Sequence, residues 1–245
     1  MKETILGIKI SLESEQELIQ SISEYINSGQ KIRIFTPNPE MVIEAQRDND
    51  FKLILNSAEI TIPDGKGLIW ASKILNKRLK NTIPGTDLME KICAEASRKN
   101  WTIFLLGASK GIADETKSIL EVRYPGIKII GFLEGSPLDE DDLKTQNNIL
   151  KIIGKRKIDL LFVAYGAPKQ EKWIHRNISS LPVAVAMGVG GAFNYISGNI
   201  SRAPIWMRKI GLEWFYRLIT EPWRWKRQLK LIRFSYLVFI NRIQS

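Results

Sequence analysis

The feature of this chain that most constrains its fold is a regular alternation of short β-rich runs with longer helical stretches. Over the first two hundred residues, β-branched and aromatic residues are concentrated in short segments. These segments are residues 4–10, 31–36, 59–62, 102–106, 128–132, 159–164 and 183–187. Polar-apolar stretches of helical length lie between them, such as residues 14–28, 87–99, 113–123 and 139–155. Strands that alternate with helices predict an α/β fold, a Rossmann-like, mainly parallel sheet with helices on both faces.

Polar or glycine-rich turns follow several of the predicted strands. Ligands of open α/β sheets bind outside the carboxyl ends of the strands, and small residues let the backbone approach them. We therefore expect one cleft in which these turns hold phosphate or sugar groups. The glycine-rich segment 188–191 is equally consistent with a tight structural turn. The candidate ligand-binding positions in the turns are Gly107, Ala108, Tyr165, Gly188, Gly190 and Gly191.

Three polar side chains follow the second and third predicted strands. Asp64 precedes a glycine at a strand end, where a carboxylate can act as a general base on an attacking hydroxyl. The same position suits an aspartate that caps a turn. Thr36 and Asn38 place short hydrogen-bonding groups in a stiff turn, and Asn38 followed by Pro39 also suits a helix start. Local chemistry leaves the catalytic and the structural interpretation open.

A hydrolase is the alternative in a different reaction class. Residues 107–111 match the Gly-x-Ser-x-Gly nucleophile elbow, and the order Ser109, Asp159, His175 fits a hydrolase triad. However, His175 is the only histidine and lies in a charged helical stretch instead of a loop after a late strand. A glycine-rich turn that binds phosphate or a nucleotide is the more economical interpretation of residues 107–111.

We predict neither a metal ion nor an organic cofactor. The acidic run 139–142 resembles the Asp-x-Asp motif with which many sugar transferases hold a metal. It opens an apparent helix, however, where acidic residues complement the helix dipole. The G-x-G-x-x-G spacing of a dinucleotide-binding fingerprint is absent. The single cysteine, Cys93, provides neither a disulfide nor a metal cluster.

Positive charge is concentrated in the last 44 residues of the chain. Residues 202–245 contain ten Lys and Arg against two Glu, a net +8 out of +10, and four of the seven tryptophans. Within residues 223–243, six apolar side chains recur at steps of four and three, which places them on one helix face. These are Trp225, Leu229, Ile232, Tyr236, Phe239 and Ile243. The pattern predicts two units, an α/β catalytic body over residues 1–201 and a basic-aromatic, amphipathic helical appendage over residues 202–245.

An anionic membrane surface is the partner that best fits this appendage. Lys and Arg interleaved with tryptophan suit the headgroup region of a bilayer. A coiled-coil seam and a nucleic-acid-binding arm are the alternatives, and the clustered tryptophans favour the membrane. The sequence has no apolar run long enough for a spanning helix and no apparent signal peptide. We therefore expect a cytoplasmic protein, attached peripherally to the inner face of the cell membrane, that does not bind nucleic acid.

Sequence blocks spread over nearly the whole chain are similar to one known family. The blocks are residues 36–42, 63–67, 84–88, 104–108, 124–126, 166–173, 188–193, 201–204, 213–218 and 221–227. In this order they resemble the WecG/TagA/CpsF family of bacterial glycosyltransferases. The Pro-Lys-Gln-Glu block at 168–171 and the segment from Arg-Ala-Pro to Pro-Trp-Arg are the most distinctive.

The resemblance implies an inverting, metal-independent transfer of a sugar from a UDP donor to undecaprenyl-diphosphate-linked GlcNAc. The sugar is typically N-acetylmannosamine, with its uronic acid or another UDP-hexose as alternatives. Such reactions build the linkage unit of wall teichoic acid or other surface polysaccharides. The resemblance also implies a possible homodimer, or an exchange between dimer and monomer.

Roles for individual residues follow from the same resemblance. Asp64 matches the proposed general base, Thr36 and Asn38 match polar groups beside it, and Gln170 matches a cleft residue near the donor. Three arginines match residues thought to close over the active site and meet the diphosphate charge: Arg217, Arg224 and Arg227. Relatives often carry an arginine shortly before the block at 84–88. Here Lys80 is the nearest cation, which leaves that role open.

Overall fold

A computed structural model describes residues 1–220 and 225–244, with the side chains of all of these except residues 209 and 226–228. The strands are β1 (Lys2–Ile5), β2 (Ile8–Ser11), β3 (Ile32–Phe35), β4 (Ile60–Thr61), β5 (Thr102–Gly107), β6 (Lys128–Leu133), β7 (Ile158–Ala164) and β8 (Val183–Gly188). The helices before β7 are α1 (Glu15–Ser28), α2 (Pro39–Ala45), α3 (Asn49–Asn56), α4 (Lys66–Ile74), α5 (Gly85–Lys99), α6 (Ile112–Arg123) and α7 (Asp142–Ile153). The later helices are α8 (Lys169–Asn177), α9 (Ala192–Ile196), α10 (Ile205–Ile210), α11 (Glu213–Thr220) and α12 (Trp225–Ile243).

Six of the strands form one parallel sheet in the order β4-β3-β8-β7-β5-β6. Successive residues of a strand point to opposite faces, and both faces of this sheet are buried. Ile34 and Leu105 belong to the apolar cluster on one face, whereas Phe35 and Phe104 belong to the cluster on the other. The predicted α/β fold with a parallel sheet covered on both sides is confirmed.

One predicted strand, residues 4–10, is wrong as a single element. β1 and β2 instead form an antiparallel hairpin outside the main sheet, with Ile5 opposite Ile8. The turn between them has positive φ angles at Leu6 (45°) and Gly7 (79°). The sequence gives little sign of this turn, because Gly7 is the one typical turn residue within the apolar run. The other six predicted strands agree with the structure to within one residue at each end.

The C-terminal helix α12 is apolar on two faces. Phe234 (2% exposed) and Val238 (0%) are buried against the body, where α12 packs on α2 and α4. Lys230 reinforces this contact with an ion pair to Glu44 (2.5 Å). The side chains of the predicted stripe instead remain more than half exposed: Trp225, Leu229, Ile232, Tyr236, Phe239 and Ile243. The stripe is therefore not the face by which the helix joins the body.

The division into a body and an appendage stays a prediction. The structure adds that α12 completes one of the two apolar clusters of the sheet through Phe234 and Val238. Within residues 1–220 and 225–244, no helix is both long enough and apolar enough to cross a bilayer.

Candidate active site

A cleft of about 200 Å³ opens at the carboxyl edge of the sheet. The turns after β4, β3, β8 and β7 line it together with the first turn of α5 and residues of α11 and α12. The position agrees with the rule that α/β sheets bind ligands where the strand order reverses. Seven predicted site residues meet in this cleft: Thr36, Asn38, Asp64, Gln170, Gly190, Gly191 and Arg217.

Asp64 lies in the turn after β4, and its carboxylate faces the cleft. The backbone of the turn is held to the neighbouring one, because Asp64 N–H donates to the carbonyl of Pro37 (2.9 Å). The Gly85 N–H at the start of α5 donates to the carboxylate. Burial raises the pKa of Asp64 to about 6, and the charge of Arg217 opposes this rise. A carboxylate with this pKa is mainly ionised at neutral pH and remains basic enough to accept a proton.

The turn after β3 combines structural and cleft-lining roles. Asn38 Oδ1 accepts the Met41 N–H (2.9 Å), so Asn38 caps α2 with Pro39 at its first position. Thr36 is buried and also lines the cleft. A Cβ atom on Gly85 would lie 3.1 Å from Thr36 Oγ1, so the glycine allows the start of α5 to approach this threonine. Thr36 and Asp64 are thereby held beside the same backbone segment.

Arg217 of α11 carries positive charge into the cleft. Its guanidinium lies over the ring of Tyr195, 5.2 Å from the ring centre, and forms an ion pair with Glu213. Arg217 Nε is buried and has no hydrogen-bond partner among the described residues. Arg224 lies outside the described residues, and so does the side chain of Arg227. The structure thus places one of the three predicted arginines in the cleft.

Ion pairs fix the segment that leads into α11. Asp87, in the first turn of α5, pairs with Arg202 and with Arg208 of α10. Arg202 and Arg208 are therefore held at the start of α5, where the Gly85 N–H donates to Asp64. Lys80 is exposed and does not line the cleft, so its suggested role in place of an arginine stays a prediction.

Gly107, Ala108 and Tyr165 do not line the cleft. The turn after β5 lies on the far side of β7, and a Cβ atom on Gly107 would come within 2.9 Å of the Ala164 carbonyl carbon. Gly107 therefore permits the close approach of two strands. Tyr165 turns its ring to Trp173 in an edge-on contact at 6.0 Å, and burial raises its pKa. Its hydroxyl is buried without a hydrogen-bond partner among the described residues.

Gly188 also has a structural role. A Cβ atom at this position would lie 2.8 Å from Gln170 Nε2 and 3.1 Å from Glu171 Oε1. The absence of a side chain thus makes room for these two neighbours at the end of β8. The glycines that do reach the cleft are the next two, Gly190 and Gly191.

The structure does not assemble the alternative hydrolase triad. Ser109 follows the carboxyl end of β5, whereas Asp159 bonds the N–H and hydroxyl of Thr102 at its amino end (2.7 and 2.9 Å). Six strand residues separate these ends, a distance of about 20 Å. His175 Nδ1 accepts a hydrogen bond from Arg33 Nη1 (2.9 Å). The three side chains therefore cannot act together.

The acidic run at residues 139–142 has structural partners. Arg176 of α8 pairs with Asp139 (3.0 Å) and with Asp142 (2.7 Å), which begins α7. These ion pairs join α7 to α8, and they give Asp139 and Asp142 a structural role. Among the residues that the structure describes, no group of three or more His, Cys, Asp or Glu side chains is arranged to hold a metal ion.

Two partners of Arg217, of which Tyr195 also lines the cleft, were not identified from the sequence. Tyr195 of α9 supports the guanidinium of Arg217, and Glu213 pairs with it from one turn earlier on α11. The i,i+4 spacing of Glu213 and Arg217 is a signal that sequence analysis could have used. The contact with Tyr195 joins separate helices and has no comparable local signal.

Comparisons with known proteins find relatives that match over most of the chain. The sequence model described as "Glycosyl transferase WecG/TagA/CpsF family" matches residues 3–245. The chain is 39% identical over 214 residues to a protein of Bacillus subtilis (strain 168), covering 87% of this chain and 81% of the relative. It is 31% identical over 228 residues to a protein of Staphylococcus aureus (strain NCTC 8325 / PS 47), with 92% and 86% covered. Both relatives are named N-acetylglucosaminyldiphosphoundecaprenol N-acetyl-beta-D-mannosaminyltransferase.

Proposed function

Because the chain belongs to the WecG/TagA/CpsF family of glycosyltransferases, we propose that it transfers N-acetylmannosamine to a lipid-linked acceptor. The donor is UDP-N-acetylmannosamine and the acceptor is undecaprenyl-diphosphate-linked N-acetylglucosamine. The product belongs to the linkage unit of wall teichoic acid or to a related surface polysaccharide. The observation that carries this proposal is the cleft itself, where the Asp64 carboxylate lies beside the Arg217 guanidinium.

Asp64 is the general base of the proposed reaction. A hydroxyl of the acceptor sugar attacks the anomeric carbon of the donor, and its proton passes to the Asp64 carboxylate. The bond from the anomeric carbon to the UDP oxygen breaks as the new glycosidic bond forms, so one displacement inverts the anomeric centre. The Gly85 N–H holds the carboxylate, and Thr36 is placed to bind a sugar hydroxyl nearby.

Arg217 is the group that stabilises the departing diphosphate. Negative charge develops on UDP during the transfer, and a guanidinium can bind phosphate oxygens with paired hydrogen bonds. The buried Nε of Arg217 supports this role, because it lacks a partner among the described residues. We propose that Arg224 and Arg227, which follow Arg217 in the sequence, add positive charge that also stabilises the diphosphate.

The charges of the cleft favour a neutral donor sugar. Its described lining residues include three acids, Glu40, Glu44 and Asp64, and two bases, Arg217 and Lys230. Lys230 is paired with Glu44 and Arg217 with Glu213, but Arg217 Nε has no partner among the described residues and can meet the diphosphate. A carboxylate on the donor sugar would bring further negative charge beside these acids. N-acetylmannosamine is therefore the preferred sugar, ahead of its uronic acid.

An anionic membrane surface is the proposed partner of α10, α11 and α12. A polyprenyl acceptor lies in a bilayer, so the enzyme must meet its substrate at an interface. Large apolar side chains are exposed along α10 and α11, and they add to the exposed stripe of α12: Ile205, Trp206, Ile210, Trp214, Phe215 and Ile219. The edge-on contact of Phe239 with Trp70 of α4, at 5.6 Å, extends this apolar surface to the body. We propose peripheral attachment at the cytoplasmic face, with homodimer formation as a further expectation.

A transfer assay with Asp64→Asn tests the proposed base. Asparagine keeps the size of the side chain but cannot accept the proton, so we expect kcat to fall by at least about a hundredfold. The matched control is Asp114→Asn, on an exposed turn of α6, which should keep full activity. Near-normal turnover by Asp64→Asn would remove Asp64 from the base role.

A panel of donors tests the identity of the sugar. UDP-N-acetylmannosamine, its uronic acid and UDP-N-acetylglucosamine would be compared with a short-chain diphosphate-linked acceptor. The proposal expects the highest kcat/KM with UDP-N-acetylmannosamine. A preference for the uronic acid would contradict the charge argument while leaving the assignment of Asp64 intact.

A further inference from the structure

Gln170 joins two of the turns that line the cleft. Its side-chain Oε1 accepts the backbone N–H of Gly166 (3.1 Å), in the turn after β7. The same oxygen accepts the backbone N–H of Gly190 (2.9 Å), in the turn after β8. One amide oxygen thus sets the spacing of two neighbouring turns. These two backbone donors are satisfied inside the protein and do not point at a ligand.

Glu171 determines which way the Gln170 amide faces. Glu171 is fully buried, and its Oε1 accepts a hydrogen bond from Gln170 Nε2 (2.7 Å). The two ends of an amide are almost equal in shape but opposite in hydrogen bonding. If the Gln170 amide were reversed, its NH₂ group would face two backbone N–H donors, and its oxygen would face the carboxyl of Glu171. The acceptor on Glu171 therefore favours the orientation that joins the turns.

The surroundings of Glu171 are adapted to this pair. Because Gly188 has no Cβ atom, it leaves the space that the side chains of Gln170 and Glu171 occupy. Glu171 Oε2 is buried without a hydrogen-bond partner among the described residues. Burying a carboxyl that is only partly hydrogen-bonded costs folding free energy. Such a group is more often retained for a specific role at a functional site than for stability.

We propose that Glu171 is a positioning residue for glycosyl transfer, which holds the Gln170 amide in the one orientation that clamps the turns after β7 and β8. The inference rests on the proposed function, since it concerns the geometry of the same cleft. The turn after β8 leads directly into α9, which carries Tyr195. Because Tyr195 supports Arg217, the clamp positions the cation that meets the diphosphate. Loss of the clamp should therefore lower kcat more than it raises KM.

Reversal of the hydrogen-bond polarity is the sharpest test. Gln170→Glu places a second acceptor opposite Glu171, so the pair can bond only when one carboxyl carries a proton. Adding Glu171→Gln restores a donor: the new carboxylate at position 170 would accept both backbone N–H groups and also an N–H of the new amide at position 171. We expect a loss of about tenfold to a hundredfold in kcat for Gln170→Glu at alkaline pH, where neither carboxyl keeps a proton, because misplaced cleft groups cost this much. The double variant should recover at least about half of the wild-type kcat on this account.

The pH profile gives a readout that a general loss of packing would not produce. Burial raises the pKa of Glu171 to about 7, and the Gln170 hydrogen bond lowers it. Among the described residues, no charged side chain contributes to this shift. In Gln170→Glu the shared proton is lost as the pH rises, so activity should fall on the alkaline side. The double variant, in which an amide again faces the carboxylate, should not show this alkaline fall.

Glu171→Met and Glu171→Gln complete the series. Methionine removes the acceptor while filling the space, and should lower kcat about tenfold or more. Glutamine retains an acceptor oxygen and should lose less than methionine. Glu140→Gln, on the exposed surface, is the matched control. If Glu171→Met fails to fold, the comparison of Gln170→Glu with the double variant still decides.

Amide hydrogen exchange separates this inference from the proposed function. With isotope-labelled glycine, exchange at Gly166 and Gly190 should accelerate in Glu171→Met and Gln170→Glu and slow again in the double variant. If wild-type protein transfers no sugar but exchange follows this pattern, the proposed function fails and the clamp stands. The clamp is overturned if Glu171→Met keeps the wild-type kcat, or if at alkaline pH the double variant is no more active and no better protected than Gln170→Glu.

Discussion

The acidic limb of the pH–rate profile should report the ionisation of Asp64. An ordinary aspartate would titrate near 3.8, whereas burial raises the pKa of Asp64 to about 6. With a pKa of about 6, about nine-tenths of the carboxyl is ionised at pH 7 and about one-tenth at pH 5. Because only the ionised form accepts the acceptor proton, kcat/KM should fall about tenfold over this interval.

Two substitutions should move this limb in opposite directions. The charge of Arg217 lowers the pKa of Asp64, so Arg217→Gln should shift the acidic limb to higher pH. The charge of Glu213 raises the pKa of Asp64, so Glu213→Gln should shift the limb to lower pH. Both variants should also lose rate, because Glu213 pairs with the arginine that meets the diphosphate. The position of the limb is independent of that overall loss.

The assay is kcat/KM with a short-chain acceptor, measured from about pH 4.5 to about pH 8.5 at constant ionic strength. Asp64→Asn should have no such limb and only residual activity. It should be no less stable than wild type, because it removes a desolvated charge. An acidic limb near pH 4 in wild type, or a limb that Arg217→Gln leaves in place, would refute the reasoning.

The two faces of α12 and the single histidine give the remaining predictions. Phe234→Ala should lower the free energy of unfolding by about 3–5 kcal/mol, measured by urea denaturation. Phe239→Ala, on the exposed stripe, should change stability little but weaken sedimentation with anionic vesicles, and equal effects in both assays would contradict the assignment of the faces. Partial desolvation and then the charge of Arg33 lower the pKa of the exposed His175 below its usual 6.5, so its neutral ring adds a small stability above about pH 6.5 that is lost as the pH falls below that value. His175→Gln should flatten this pH dependence of the unfolding free energy, and an unchanged slope would contradict it.

The local sequence determined the elements and much of the chemistry of the cleft. Short apolar runs predicted the ends of all six strands of the sheet to within one residue. Strands buried on both faces need continuous runs of β-branched and aromatic residues, which are easy to recognise. Asn38 before Pro39 indicated the helix cap that the structure shows. The resemblance to a known family directed attention to Asp64, which lies in the cleft as expected.

Tertiary structure decided which of these local features meet. Gly107 ends a strand and Gly190 lies just after one, yet only Gly190 reaches the cleft, because strand order places β7 between the turn of β5 and the site. Phe234 is not among the residues of the predicted apolar stripe, and the packing of α12 on α2 and α4 makes it part of the core. The orientation of Gln170 depends on backbone N–H donors from two turns, of which that at Gly190 is distant in sequence, and on the acceptor of the neighbouring Glu171. Periodicity and turn chemistry act over a few residues, whereas strand order and helix docking join residues that are distant along the chain.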